Sequence, residues 1–210
     1  MRLNEYFDKI FCINLDKRID KWLLSKKEFQ KHDLIVDRFI AIEGNPDKIK
    51  THLTDGGVGC TISHLEVFKL SKLLNLKNVL ILEDDVDFID DLNDRFNEYY
   101  KQIHENWGLL YLGGNHNGMP IQKISENMAM ITNTYTTHAY AVNNNIYDEL
   151  INTFFGISDI ADILLAKVQN KLKNSYVFQP HLAWQKPGYS DVLNVYADYD
   201  FLKTGFFKTM

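Results

Sequence analysis

Apolar residues along this chain alternate between short continuous runs and stretches in which they recur every three or four positions. The short runs are typical of buried strands, whereas the wider spacing is typical of helices with one apolar face. In the first half the predicted strands are Phe7–Leu15, Arg38–Ile42, Val79–Leu82 and Trp107–Leu112. The predicted helices are Asp16–Lys31, Cys60–Leu76 and Leu92–His104. This alternation predicts a mostly parallel sheet with helices on both faces.

The second half of the chain has a different order of elements. Two predicted strands, Met128–Thr134 and His138–Val142, follow each other with only a short polar link between them. The later predicted elements are the helices Asn145–Phe155 and Asp159–Leu172 and the strand Tyr176–Phe178. Because there is no internal repeat and no long linker, we expect a single α/β domain over residues 1–210 with a mixed, mostly parallel sheet.

Composition and charge narrow the class of protein. The chain has 210 residues, 45% of them apolar, and only four prolines, which is typical of one soluble domain. A net charge of −5 argues against a nucleic-acid partner, because phosphate-binding surfaces need clustered Lys and Arg. The first residues are too polar for a signal peptide, and no apolar run approaches the ~20 residues of a transmembrane helix. With Cys12 and Cys60 expected to be reduced thiols, we expect a cytoplasmic protein.

Four carboxylates crowd the end of the most apolar predicted strand. They are Glu83, Asp84, Asp85 and Asp87. Ionised groups cannot follow a strand into a core without a cation or another partner. Because the carboxyl ends of strands in an α/β sheet open onto the ligand crevice, these acids are well placed to hold a hard divalent cation that carries phosphates. The alternative is an acidic turn before a helix, since Asp90 and Asp91 continue the run and acids favour a helix start.

Several short elements follow one another along the chain: Phe11–Arg18, Gly56–His64, Ile81–Val86, Thr137–Val142, Ala161-Asp162, Gln179-Pro180-His181 and Gly188–Asp191. They occur in the order expected of glycosyltransferase family 25, which the sequence resembles from about Phe7 to Leu193. The family looks like a group of sugar-nucleotide-dependent enzymes that includes bacterial lipooligosaccharide galactosyltransferases and procollagen galactosyltransferases. The tail beyond Ala197 has no counterpart in this resemblance, so the acceptor-binding parts are expected to be reduced or different.

The resemblance implies a GT-A-type fold, in which a Rossmann-like half binds a nucleoside diphosphate sugar at the strand ends. It implies that Glu83 and Asp85 hold Mn²⁺ or another divalent cation across the donor's two phosphates. Asp84 then lies nearer the donor's ribose or sugar, and His181 is a candidate third ligand. Asp87 is the alternative ligand, because Asp85-Val86-Asp87 is itself a literal Asp-x-Asp.

Further site residues follow from the positions of the motifs. The expected donor contacts are Asn14 and Arg18 for the nucleotide, Ser63 in the second motif, and Ser190 and Asp191 near the tail. For an inverting transfer, Asp162 is the candidate base that deprotonates the acceptor hydroxyl. Asp159 is the fallback base, although it fits equally well as the N-cap of the same helix. His64 and His138 are weaker candidates, because one lies in a predicted helix and the other in an apolar strand.

The aromatic tail is a candidate for acceptor contacts, because sugar faces stack on aromatic rings. Its members are Trp184, Tyr189, Tyr196 and Tyr199, and the alternative is that they simply close the core. The pairs Phe201-Leu202 and Phe206-Phe207 are also compatible with contact to a membrane surface, although no basic run lies beside them.

The sequence therefore predicts a metal-dependent glycosyltransferase. The expected reaction moves galactose or glucose from a UDP-sugar to a hydroxyl of a glycan or protein acceptor, with inversion. One alternative is a catalytically inactive module of the same fold that binds a glycan or protein. A third reading is a nucleotidyltransferase with the same metal chemistry, which would release pyrophosphate rather than UDP.

Overall fold

Eight strands form the main sheet in the computed structural model, which describes residues 1–45, 47, 51–116, 121–190, 192, 195–198 and 200–204. In chain order the strands are β1 (Lys9–Leu15), β2 (Asp37–Ala41), β3 (Asn78–Glu83), β4 (Val86–Phe88), β5 (Leu109–Tyr111), β6 (Gln122–Lys123), β7 (Met128–Ile131), β8 (Ala139–Asn143), β9 (Ser175–Phe178), β10 (Ala183–Gln185), β11 (Gly188–Ser190) and β12 (Val195–Ala197). The α-helices are α1 (Leu3–Tyr6), α2 (Ile19–Lys31), α3 (Asp55–Leu73), α4 (Leu92–Tyr99), α5 (Tyr147–Phe154) and α6 (Ala161–Leu172). Short 3₁₀ helices occupy Tyr100–Gln102, Asn144–Ile146 and Asp200–Thr204.

The main sheet has the strand order β2-β1-β3-β8-β5-β9-β7-β6. β1 runs parallel to both β2 and β3, and β5 runs parallel to β9. β8 is antiparallel to β3 and β5, and β7 is antiparallel to β9 and β6. Six of the eight strands of this sheet therefore point the same way, with β7 and β8 reversed, which confirms the predicted mixed, mostly parallel sheet.

The chain reverses its direction of travel across the sheet at β1. From β1 it passes through α2 to β2 on one side, and then through α3 to β3 on the other side. Such a reversal leaves a crevice outside the carboxyl ends of the two inner strands, where open α/β sheets bind their ligands. The ends of β1 and β3 are Leu15 and Glu83, so the crevice opens where the acidic run begins.

Two hydrophobic layers cover the faces of this sheet, and β3 shows why its sequence is an unbroken apolar run. Leu80 and Leu82 pack into the layer beneath α2 and α4, whereas Val79 and Ile81 pack into the layer beneath α3, α5 and α6. Successive side chains of a strand point to opposite faces, so a strand covered on both sides needs apolar residues at every position.

The structure differs from the predicted elements at two informative places. α3 begins at Asp55 rather than Cys60, because the Thr54 hydroxyl caps the helix by accepting from the amide of Gly57 at 3.0 Å. β7 and β8, which are close in sequence, are not neighbours: β8 lies between β3 and β5, and β7 lies between β9 and β6.

Two backbone segments approach each other so closely that each needs a glycine: Gly59 in α3 and Gly44 in the segment after β2. A Cβ built on Gly59 would lie 2.5 Å from the carbonyl oxygen of Ile42 and 2.8 Å from the amide nitrogen of Gly44. A Cβ on Gly44 would likewise lie 1.9 Å from the carbonyl oxygen of Asp55. This contact presses the segment after β2 against α3, and it shapes one wall of the crevice.

We expect Gly59→Ala to destabilise the protein by about 2 kcal/mol or more, because the added methyl group meets backbone atoms that cannot rotate away. Urea unfolding followed by circular dichroism measures the change. Gly156→Ala is the matched control, since no heavy atom lies within 4 Å of the position of its added Cβ. Equal stability of the two variants would contradict this account of the contact.

Candidate functional site

A cavity of about 370 Å³ occupies the crevice at the ends of β1 and β3. This volume lies at the lower end of the range of small-molecule sites. One part of its wall is acidic, with Glu83, Asp84 and Asp85, and another part is basic, with Lys17, Arg18 and Lys21. The wall also includes Gly44, Gly59, Ser63, Tyr189 and Ser190.

Asp84 is held firmly at the edge of the cavity. Its carboxylate accepts a hydrogen bond from Nδ2 of Asn14 at 2.6 Å and pairs with Nζ of Lys21 at 3.4 Å. The Ser25 hydroxyl donates to its backbone carbonyl at 2.8 Å. Burial nevertheless raises the pKa of Asp84 above its usual value, against the opposing effects of Lys21 and Asn14.

Arg38 is a site residue that the sequence analysis did not identify. Its Nε and Nη2 atoms donate to Oδ1 of Asn14 at 2.9 and 2.6 Å, and its guanidinium lies 5.4 Å from the centre of the Trp22 ring. Because the Asn14 oxygen is used in this way, its amide nitrogen is directed at Asp84. A lone arginine in the predicted strand Arg38–Ile42 was the available signal. Asn14 therefore orients Asp84 through its side chain.

Glu83 is bound by a chain of hydrogen bonds that reaches into the core. Its Oε1 atom contacts Nε2 of His64 at 3.2 Å and accepts from the Thr137 hydroxyl. The other nitrogen of His64 lies 2.7 Å from the Tyr140 hydroxyl. Burial would raise the pKa of Glu83, but the hydrogen bond and charge of His64 and the Thr137 hydroxyl hold this pKa below its ordinary value. Glu83 therefore loses its proton more readily than an ordinary glutamate.

Asp85 has the least compensated carboxylate of the acidic wall. Gln185 donates to its Oδ2 atom at 2.9 Å, but its Oδ1 atom is buried without a hydrogen-bond partner among the described residues. Burial, followed by the charges of Glu83 and Asp84, raises the pKa of Asp85 to about 7. A buried carboxylate oxygen without a donor fits a hard divalent cation, which takes oxygen ligands. Glu83 and Asp85 are therefore the described residues best suited to hold such a cation.

Cys60 and His64 also come close to Glu83, so a different ligand set is present geometrically. One ligand atom from each of the three residues lies within 4.8 Å of the others. However, burial and the nearby charge of Glu83 raise the pKa of the Cys60 thiol well above its usual value, which disfavours the thiolate that metals bind. His64 is fully buried and already contacts Tyr140 and Glu83. We assign His64 to orienting Glu83.

Asp87 and His181 are not brought to the acidic wall. The Asp87 carboxylate accepts from Nε1 of Trp184 at 3.1 Å and pairs with Nζ of Lys186 at 3.6 Å. β10 pairs antiparallel with β4, so Gln185 rather than His181 comes opposite Val86, beside Asp85. The contacts described for His181 are with the His116 ring and the carbonyl oxygen of Leu202. Neither Asp87 nor His181 is among the residues that line the cavity.

Asp162 lies behind the acidic wall, in the first turn of α6. The backbone of Thr136 and the side chain of Thr137 lie beside its carboxyl group and oppose the rise of its pKa, although the Thr137 hydroxyl donates its proton to Glu83. Burial, followed by the charge of Glu83, raises the pKa of Asp162 to about 6. Asp162 does not itself line the cavity, and Thr137 contacts both it and Glu83. Asp159, the fallback base, instead pairs with Nζ of Lys167 at 3.5 Å.

The remaining predicted donor contacts fall into two groups. Arg18 and Ser190 line the cavity, and the Arg18 guanidinium also contacts the Asp20 carboxylate at 3.2 and 3.3 Å. Ser63 also borders the cavity, but it is fully buried, and its hydroxyl accepts from the amide of Ile42 and donates to the carbonyl of Gly59. Ser63 therefore fixes the wall segment after β2. Asp191, Tyr199 and Phe206-Phe207 lie outside the described residues.

The fold and the site define an α/β protein with a ligand cavity at the switch point of its sheet and an acidic wall beside it. The sequence profile of glycosyltransferase family 25, described as an LPS biosynthesis protein family, matches residues 7–158. The chain therefore belongs to glycosyltransferase family 25, as its motifs predicted.

Relatives of known description are consistent with this membership. A glycosyltransferase 25 family member of Drosophila pseudoobscura pseudoobscura is 32% identical over 100 residues, which are 39% of this chain and 16% of the relative. A procollagen lysyl hydroxylase and glycosyltransferase of Acanthamoeba polyphaga mimivirus is 28% identical over 69% of this chain and 19% of the relative. Procollagen galactosyltransferase 2 of Mus musculus is 27% identical over 51% and 21%. The chain thus spans only about a fifth of the length of these relatives.

Among solved structures, A197 from STIV is similar with a TM-score of 0.48 and 8% identity, over 84% of each chain. A glycosyltransferase involved in the glycosylation of the major capsid of PBCV-1 has a TM-score of 0.43 and 8% identity, over 70% of this chain and 64% of that one.

Of the helices in the described part of the chain, none combines the length and the apolar composition that crossing a bilayer requires.

The uncompensated charge of Asp85 predicts that Asp85→Asn stabilises the metal-free protein. The folded-state pKa of about 7 exceeds the ~3.9 of an unfolded aspartate. Folding therefore takes up a proton between these values, and stability falls as the pH rises through this window. We expect the variant to be more stable than the wild type by roughly 1 to 3 kcal/mol at pH 8 in EDTA, and by less at pH 5.

Thermal and urea unfolding at both pH values measure this difference, with Asp87→Asn as the control that keeps the wall intact. Added Mn²⁺ should stabilise the wild type more than the Asp85 variant, because a ligand that binds only the folded state raises its stability. A variant that is no more stable than the wild type at pH 8 would show that the Asp85 charge is compensated.

Proposed function

We propose that this chain is a metal-dependent glycosyltransferase that moves galactose or glucose from a UDP-sugar to a hydroxyl of a glycan or protein acceptor, with inversion. The observation that carries the proposal is the Oδ1 atom of Asp85, which has no hydrogen-bond partner among the described residues. It lies beside Glu83, whose pKa is lowered, at the switch-point cavity of a family 25 chain. Procollagen galactosyltransferase 2 is a relative over half of this chain, which favours galactose and a protein or glycan hydroxyl.

Glu83 and Asp85 are the residues that would hold Mn²⁺ or a similar cation. When bound, such a cation supplies positive charge that neutralises the diphosphate as it leaves. His64 and Tyr140 keep the Glu83 carboxylate in place, so little reorganisation is needed when the donor enters. Gln185 likewise holds one oxygen of Asp85 and leaves the other for the cation. The predicted third ligand, His181, is not included in this set because its described contacts lie elsewhere.

The basic part of the wall favours a phosphate-bearing donor. Lys17, Arg18 and Lys21 also line the cavity, with Lys21 beside Asp84, and a guanidinium or ammonium group pairs readily with phosphate. Asp84, oriented by Asn14 and Arg38, would accept from a ribose or sugar hydroxyl, and its position in the cavity wall supports this role. Ser190 enters from the opposite end of the chain and contributes a further hydroxyl contact. Asp191 keeps the same proposed role in donor binding.

Asp162 is the proposed base. An inverting transfer needs a carboxylate that takes the acceptor's proton while the hydroxyl oxygen attacks the sugar carbon. A pKa raised to about 6 makes Asp162 a stronger base than an ordinary aspartate, yet it leaves the group ionised at neutral pH. Thr136 and Thr137 orient the carboxyl group at the back of the acidic wall.

The second candidate function is a binding module without turnover. A human relative that is 29% identical over 51% of this chain is named inactive glycosyltransferase 25 family member 3. Such a module would retain nucleotide binding at the cavity and show no release of UDP from any UDP-sugar. The release assay below therefore separates the two functions.

For the metal and donor, we expect purified protein to release UDP from one UDP-sugar of a panel in Mn²⁺ and to release none in EDTA. Asp85→Asn should lower this rate by about 100-fold or more, because it removes charge from the cation site. Asp87→Asn is the matched control and should keep most of the activity. UDP binding without release would favour the binding module, and loss of activity only in the Asp87 variant would reassign the ligand.

For the base, Asp162→Asn should lower UDP release by roughly 100-fold while Mn²⁺-dependent UDP binding, measured by calorimetry, is retained. The wild-type rate should fall as the pH decreases through about 6, because protonated Asp162 cannot accept a proton. Asp159→Asn is the control. A full rate in the Asp162 variant, together with a slow Asp159 variant, would move the role of base to Asp159.

A further inference from the structure

Two histidine rings face each other away from the donor cavity. His116 lies beyond the end of β5, and His181 lies between β9 and β10. Their Nε2 atoms are 3.2 Å apart, and the planes of the rings are inclined at 67°. Neither ring lines the donor cavity, and the proposed transfer reaction uses neither.

The other nitrogen of each ring is already engaged. Nδ1 of His181 lies 3.1 Å from the carbonyl oxygen of Leu202, and Nδ1 of His116 lies 2.7 Å from the Thr134 hydroxyl. A carbonyl only accepts hydrogen bonds, so Nδ1 of His181 carries the proton and Nε2 of the neutral ring presents its lone pair. Histidines that bind metals have this arrangement, in which the second N–H donates to a carbonyl or another oxygen.

Burial keeps both rings neutral. Burial, followed by the repulsion that a protonated His181 would exert, lowers the pKa of His116 to about 3. Burial also lowers the pKa of His181 to about 4, although its bond to the Leu202 carbonyl opposes the shift. Neutral imidazole is the form that binds metals, so neither ring has to lose a proton to the solvent at neutral pH.

The spacing of the two nitrogens suits a tetrahedral cation. A zinc ion with Zn–N bonds of 2.0 to 2.1 Å places two imidazole nitrogens about 3.3 Å apart at the tetrahedral angle. Gln179 is beside them, with its amide nitrogen 3.5 Å from Nε2 of His116. Rotating that amide by half a turn presents its oxygen instead, so the side chain offers a third ligand.

We propose that His116 and His181, joined by Gln179, bind a borderline divalent cation of the Zn²⁺ class at a site separate from the acidic wall. Two imidazoles and an amide favour Zn²⁺ over Mn²⁺, which prefers carboxylates. The cation would tie the segment after β5 to the segment that connects β9 with β10. Through the Leu202 carbonyl it would also hold the 3₁₀ helix Asp200–Thr204. This inference does not depend on the proposed transfer reaction.

The test uses the full chain in a Cys60→Ser/Asp85→Asn background, which removes ligands at the donor cavity. After metal removal, Zn²⁺ is titrated by calorimetry and Co²⁺ by visible absorption. We expect one equivalent to bind, with the absorption of tetrahedral Co²⁺. His116→Gln should weaken binding by at least about 10-fold. His52→Gln is the control, because His52 is exposed, and it should bind like the background protein.

His181→Gln is measured in parallel, with circular dichroism to show that each variant is folded. His116 is only partly buried, so its variant provides the result if the His181 variant unfolds. The absence of saturable binding would show that the two rings form only a direct hydrogen bond, with the Thr134 hydroxyl donating to His116. Binding that His116→Gln leaves unchanged would place the cation elsewhere. Either result overturns the proposal.

Discussion

The burial of negative charge at the carboxyl end of β3 is the constraint on which the rest of the site depends. β3 is apolar on both faces because helices cover both, and it then ends in three consecutive carboxylates. The surrounding residues that touch these acids come from distant parts of the chain: Asn14, Lys21, His64, Thr137 and Gln185. Contacts from β1, α2, α3 and the later segments thus converge on this one strand end.

The three carboxylates differ in how well neighbouring donors and cations compensate their negative charge, and this difference separates their roles. Glu83 and Asp84 have donors or cations on their carboxylates, whereas one oxygen of Asp85 has no partner in the part of the chain that the structure describes. A buried group of this kind costs stability in the metal-free protein and favours binding of a cation. The buried Asp85 carboxylate therefore destabilises the metal-free protein and at the same time supports the proposed function. Such a trade-off between stability and activity is common.

Local pattern predicted the elements and the class of the fold. The apolar run before Glu83 indicated a strand buried on both faces, and the strand–helix alternation indicated the mostly parallel sheet. The start of α3 was placed too late because Gly56, Gly57 and Gly59 are normally breakers, whereas here Gly59 allows backbone atoms of two segments to meet. Arg38 was missed because its action on Asp84 passes through Asn14, a contact between strands that spacing does not encode.

The sequence by itself determined the family, the α/β class and the position of the acidic run at a strand end, because these follow from order and periodicity along the chain. Only the tertiary structure decided how each acid is compensated. Gln185 reaches one oxygen of Asp85 through the pairing of β10 with β4, and the other oxygen has no partner among the described residues. The same pairing carries His181 away from the acids and beside His116. Contacts between residues a hundred positions apart depend on strand register and packing, and no local pattern specifies them.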